Sequence, residues 1–185
     1  MATIKTSDLS SLATQAAQGD LLVISDISAS TSHKVTTQAL VAQAYGDIKL
    51  VAATAAQTLS STFAKLTVFD SSTASFNTTI AGDKDSITVA TTGIYMIMFT
   101  CNFSSDTAKT ISLALSIGGT EDVDSQVAQV VPTTGATNIM STSFCVLKSL
   151  TAGAVLTIEA KAQSGTPALT FNNIDLVVKK IDASA

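Results

Sequence analysis

Residues 91–103, "TTGIYMIMFTCNF", form the most apolar stretch of the chain and constrain its fold more than any other segment. So many apolar and aromatic residues beside a turn signal read as a strand, in which successive side chains point to opposite faces. Tyr95, Ile97, Phe99, Cys101 and Phe103 then share one face, and Ile94, Met96 and Met98 share the other. One apolar face fills the core of a β-sandwich. The second needs a cover of its own.

From Phe63 onward the sequence reads as strands and turns. "KTISLALSIGGT" sets Ile111, Leu113, Leu115 and Ile117 against Ser112, Ala114 and Ser116, with Gly118–Gly119 as the turn. "AKLTVFD", "SFNTTIAG", "DSITVATTG", "SQVAQVV", "IMSTSFCVL", "AVLTIEAKA" and "NNIDLVVKKI" add further short strands, separated by "PTTG", "LTAG" and "SGTP". Roughly eight such strands predict a mainly β fold, an antiparallel β-sandwich or jelly roll over residues 63–185. Nothing alternates strand with helix, so a parallel α/β fold is excluded.

The first 50 residues differ. "GDLLVISDISASTSHKVTTQALVAQA" predicts a strand over Leu21–Ile24, a second near Lys34–Val35, and a helix capped at Thr36 or Thr37. Leu40, Val41 and Ala44 fall at helical spacing, and Gly46 is the expected stop. This small α+β arm is too short to hold a core. Residues 51–62, "VAATAAQTLSST", are expected to form a linker.

Charged residues make up 13 % of the chain, 10 basic against 14 acidic, for a net charge of −4. An ordinary soluble protein has about 25 %. Few, scattered cations argue against a nucleic-acid partner. A charge-poor chain either enters a membrane or buries extra surface against other chains. No run approaches the ~18–20 apolar residues of a spanning helix. A membrane barrel needs aromatic girdles, whereas this chain has no Trp and two Tyr. "MATIKTSDLSSLATQAAQGD" lacks an apolar signal-peptide core, so a soluble chain outside the secretory route is expected. Burial against copies of itself is the expected cover for Ile94, Met96 and Met98, the alternative being the chain's own N-terminal extension.

Chemistry has little to work with. The one histidine, His33, is expected in a Ser/Thr-rich loop, with no second histidine for a metal and no "G-x-S-x-G" elbow. No catalytic residue, metal or cofactor is assigned, and the chain is not expected to be an enzyme. Glu121, Asp122 and Asp124 cluster in "GGTEDVDS", with a weaker pair at Asp83 and Asp85. Hard oxygen ligands suit Ca²⁺, but the spacing is not that of an EF-hand, and a solvated turn is the expected state. Cys101 and Cys145 are expected to be small buried apolar residues and not a disulfide framework.

"ITVATTGIYMIMFTCNF" resembles the polar strand, Gly-x-Tyr, apolar strand signature of complement and tumour-necrosis-factor-like jelly rolls. "LKSLTAGAVLTIEAKA" is similar to their later Leu-x-x-Gly-Asp element, and "FNNIDLVV" stands in the place of their last strand. Gly93, Tyr95, Leu150 and Gly153 anchor the resemblance, which covers residues 63–183. Ala154 departs from the usual Asp, and Asn172–Asn173 from the usual Gly. The resemblance implies a homotrimer in which Ile94, Met96 and Met98 face the threefold axis.

The arm resembles a module at the N-termini of bacteriophage fibre and particle-surface proteins, carried here by Asp20, Leu22, Asp26, Lys34, Val35, Thr36 and Leu40. Together the two resemblances imply a capsid decoration (cement) or head-fibre protein on the virion surface, assembled in the bacterial cytoplasm. The arm would anchor it to the major capsid protein. The alternative is a short tail-fibre protein whose loops "GGTEDVDS" and "VPTTGATN" meet a host receptor.

Overall fold

The computed structural model describes residues 21–26, 31–36, 43–52, 54–131 and 138–182. They belong to two compact units, which divide between residues 42 and 43. In the first, β1 (Leu21–Asp26) and β2 (Thr31–Thr36) form an antiparallel hairpin in which Leu22 pairs with Val35 and Val23 with Lys34. His33 therefore lies in a strand, opposite Ile24, and not in a loop. Asp20, Leu40 and most of the expected helix lie outside the described residues.

The second unit is a sandwich of two antiparallel sheets. One sheet has the order β13 (Met140–Leu150), β9 (Gly93–Ser105), β15 (Ala168–Lys180), β3 (Tyr45–Lys49), β6 (Ser75–Phe76), with β4 (Ala55–Thr58) also on β15. The other runs β11 (Thr120–Glu121), β10 (Thr110–Ile117), β14 (Val155–Ala162), β8 (Ile87–Val89), β7 (Thr78–Ile80). There β12 (Val127–Val130) pairs with β10, and β5 (Ala64–Lys65) with β14. This is the mainly β, jelly-roll sandwich that the strand spacing predicts.

The core follows the two-residue period. Tyr95, Ile97, Phe99, Cys101 and Phe103 are buried from one sheet, facing Ile111, Leu113, Leu115, Leu156 and Ile158 from the other. Phe103 and Phe171 set their rings 6.0 Å apart, and Phe99 stacks on Phe144 at 5.1 Å. Such ring pairs add about 0.5–1.5 kcal/mol each beyond the area they bury.

Two expectations about the arm and linker are corrected. Tyr45–Lys49 is a strand paired with the far C-terminal β15, so the sandwich begins at Gln43 and takes in residues assigned to the arm. Ala44 and Ile48 are core residues, and Ala44 O accepts from Lys180 N at 2.7 Å. Gly46 is no helix stop. A Cβ there would meet Thr78 Oγ1 at 2.6 Å, at the point where that hydroxyl donates to Tyr45 O. The expected linker contains β4, held to β15 by backbone pairing from Ala55 to Thr58.

Gly93 and Tyr95 have physical reasons. Tyr95 is fully buried, and its hydroxyl donates to Thr91 O at 2.8 Å. A Cβ on Gly93 would meet Lys180 Cε and Asp182, which pack across it. Gly153 takes a φ of 88°, left-handed, in the turn before β14. Asn172–Asn173 sit at a register shift between β15 and β9, so the missing glycine falls at a bulge.

Candidate functional site

The first sheet turns Ile94, Met96 and Met98 outward, as the alternation requires once their neighbours fill the core. Strand pairing sets other apolar groups beside them. Leu147 lies opposite Met96 and Cys145 opposite Met98 on β13, while Val177 lies opposite Met98 on β15. Ile181, whose N–H donates to Ile94 O at 2.9 Å, extends the patch past the strand end. Ile94 is 44 % exposed and Leu147 60 %, high for large apolar side chains on a regular sheet. Cys145 is exposed as well, which corrects its expected burial; Cys101 is buried, and desolvation pushes its thiol up to about 12.

The other sheet's outer surface is different. Lys65 pairs in register with Glu159, and Ser112 with Lys161. The Lys161 ammonium sits 4.4 Å from the Phe63 ring. One side of the sandwich therefore carries charge suited to water, and the other carries an apolar patch.

Next to the patch is a polar group on β15 and β3. Asp175 lies opposite Lys49, and Lys49 reaches Asp47 at 3.9 Å. Burial first, and Asp47 second, push the Asp175 carboxyl above its ordinary range against the pull of Lys49. Asp47 is occupied by the backbone, accepting from the N–H groups of Thr73 and Ala74.

A lysine organises the acidic loop. Lys148 on β13 places its ammonium 2.6 Å from Asp122 Oδ1 and 2.8 Å from Asp124 Oδ2. Those two bonds, the one to Asp122 first, hold the Lys148 ammonium above its usual pKa. Ser125 Oγ, donating to Asp122 O and accepting from Leu115 N, fixes the 3₁₀ turn Val123–Ser125 beneath them. A lysine thus supplies the positive charge that a Ca²⁺ reading would require, and Glu121 stays outside the cluster. No group of three or more His, Cys, Asp or Glu that could hold a metal occurs among the described residues. Lys148 was the residue missed from sequence: it lies more than twenty positions from either aspartate, and only the fold brings them together. Of the "VPTTGATN" loop, residues 132–137 lie outside the described residues.

No family model matches the sequence, and no curated protein matches it. Its structure is similar to that of Eiger, a tumour necrosis factor protein of S. frugiperda. The TM-score is 0.57 at 14 % identity, over 77 % of this chain and 95 % of that one. Murine APRIL gives 0.47 at 14 % identity, over 76 % of this chain and 100 % of its own. The globular domain of zebrafish complement 1qA gives 0.48 at 12 % identity, over 76 % of this chain and 98 % of its own. The likeness to Eiger defines the fold of residues 43–182 as a tumour-necrosis-factor-like jelly roll.

Proposed function

We propose that the chain is a homotrimeric structural protein of a bacteriophage surface, a capsid decoration protein that stabilises the head. The observation that carries the trimer is the apolar patch of Ile94, Met96 and Met98 on an otherwise charge-poor chain. Neighbouring copies bury that patch around a threefold axis. The bacteriophage setting draws on the arm. Its hairpin is a unit apart from the sandwich, and it pairs the leucine of one half of the phage-type module with the valine of the other, Leu22 with Val35. A lone two-stranded hairpin is marginal in water, so a partner surface that covers it adds much of its stability.

The mechanism is mechanical. Three arms on one trimer engage neighbouring capsid subunits that stand together only in the finished shell. Binding that state alone stabilises it by mass action, against disassembly and internal pressure. Particles lacking the protein provide the test, with full chain compared against a chain without residues 1–42. The full chain decorates them in hundreds of copies and the shortened one does not. Equal occupancy by both would make the jelly roll the anchor and overturn the reading of the arm. A few copies confined to the tail would overturn the capsid location.

A further inference from the structure

We infer that the contact between copies is confined to one end of the outer face, from Ile94 to Met98, and that the other end encloses water. This rests on the trimer reading and fixes where the contact starts and stops. The supporting observation is a change of chemistry at one register level on three adjacent strands. On β9 the outward residues run Ile94, Met96, Met98, then Thr100 and Asn102. Opposite them β13 runs Ser149 at the strand end, Leu147 and Cys145, then Ser143 and Ser141. On β15, Val177 faces Met98, whereas Asp175 and Asn173 face Thr100 and Asn102. The boundary lies between Met98 and Thr100 on all three.

Charge selects the occupant. At the apolar end the only charged residue that shares the outward face of these strands is Lys179, opposite Met96, and it has no carboxylate beside it in register. A strongly charged partner finds almost no countercharge there. A second copy brings an equally charge-poor surface, so neither side strands a buried ion. Lys179 can lay its stem along the patch with its ammonium in water. At the polar end, hydroxyl and amide groups already hold one another, Ser141 Oγ donating to Asn102 Oδ1 at 2.6 Å. Drying that end against another copy would cost those groups and the Asp175 carboxylate their hydration.

Cys145 and Ser143 straddle the boundary. They lie two residues apart on β13, point the same way, and are both exposed in the single chain. The test compares the N-ethylmaleimide reactivity of Cys145 in the full chain with that of a full chain carrying Cys145→Ala and Ser143→Cys. Buried Cys101 is silent in both. Both proteins are weighed by sedimentation, and Ser141→Cys replaces Ser143→Cys if that variant does not fold. The expected result is a trimer in each case, with Cys145 at least about tenfold slower than the introduced thiol. A trimer with both thiols equally slow overturns the partition and leaves the trimer standing. A trimer with both thiols fast moves the contact off this face and overturns the proposal. A monomer overturns the trimer reading and the proposal with it.

Discussion

Replacing Gly93 by alanine separates two explanations for a glycine at the start of β9. Its backbone is not in the left-handed region, so glycine is not required there by conformation. In an ordinary strand, alanine gains about 0.5–1 kcal/mol over glycine by restricting the unfolded chain. Packing pulls the other way. A Cβ at Gly93 would run into Lys180 Cε and lie 2.5 Å from Asp182 Oδ1. Favourable carbon contacts lie near ~3.5–4 Å. Lys180 is only 7 % exposed, and its ammonium lies 3.8 Å from Asp182 Oδ1, so its stem has little room to retreat. Overpacking of this kind costs about 1–3 kcal/mol. The difference is a net loss of up to about 2.5 kcal/mol. Urea unfolding at one fixed protein concentration reads it as a lower midpoint with an unchanged slope. In a Lys180→Ala background the loss should shrink, because the nearer of the two clashing groups is gone. A midpoint raised by the full glycine-to-alanine gain would refute the packing explanation.

Three other outcomes follow from the same contacts. Lys148→Ala leaves the largely buried Asp122 without its cation and should cost about 2 kcal/mol in urea unfolding. Because folding raises the Lys148 pKa, its contribution is complete below the usual lysine value and lost as pH rises through the raised one. Wild type should therefore lose stability faster than Lys148→Ala in strong alkali; parallel pH profiles would contradict this. Asp85 is 4 % exposed, and burial followed by Asp83 raises its pKa, so its charged form opposes folding. Asp85→Asn should raise the thermal midpoint at neutral pH, and the gain should fade as pH drops through that raised pKa, where wild type is protonated too. A gain that grows in acid would have the wrong sign. Met98→Lys sets a charge on the inner edge of the apolar contact and should yield monomer by light scattering, with the far-UV spectrum kept. A wild-type assembly would exclude Met98 from the contact.

The sandwich was legible wherever one face of a strand is buried and the other is not. The two-residue period of β9 and β10 separated core from surface residue by residue, and it placed Ile94, Met96 and Met98 outward. It did not reveal β3, because Gln43–Leu50 pairs with residues at the other end of the chain and its apolar residues also fit a helical spacing. Strand β4 was hidden for another reason: Ala55–Thr58 has almost no apolar alternation and is held by backbone bonds to β15. Leu66, Val68 and Phe69 are buried although the ladder stops at Lys65, so burial there is not a strand signal. Cys145 misled because its residue type favours the core, whereas its place in the alternation of β13 turns it outward. The Lys148 clamp joins charges far apart in sequence, a property of topology and not of any motif.

Sedimentation equilibrium of the full chain across micromolar concentrations tests the central claim most directly. A trimer sharing its apolar face gives three times the 18.9 kDa chain mass, independent of salt because the contact is apolar. A single-chain mass throughout that range would mean that Ile94, Met96 and Met98 stay open to water, and the account of this face would be wrong.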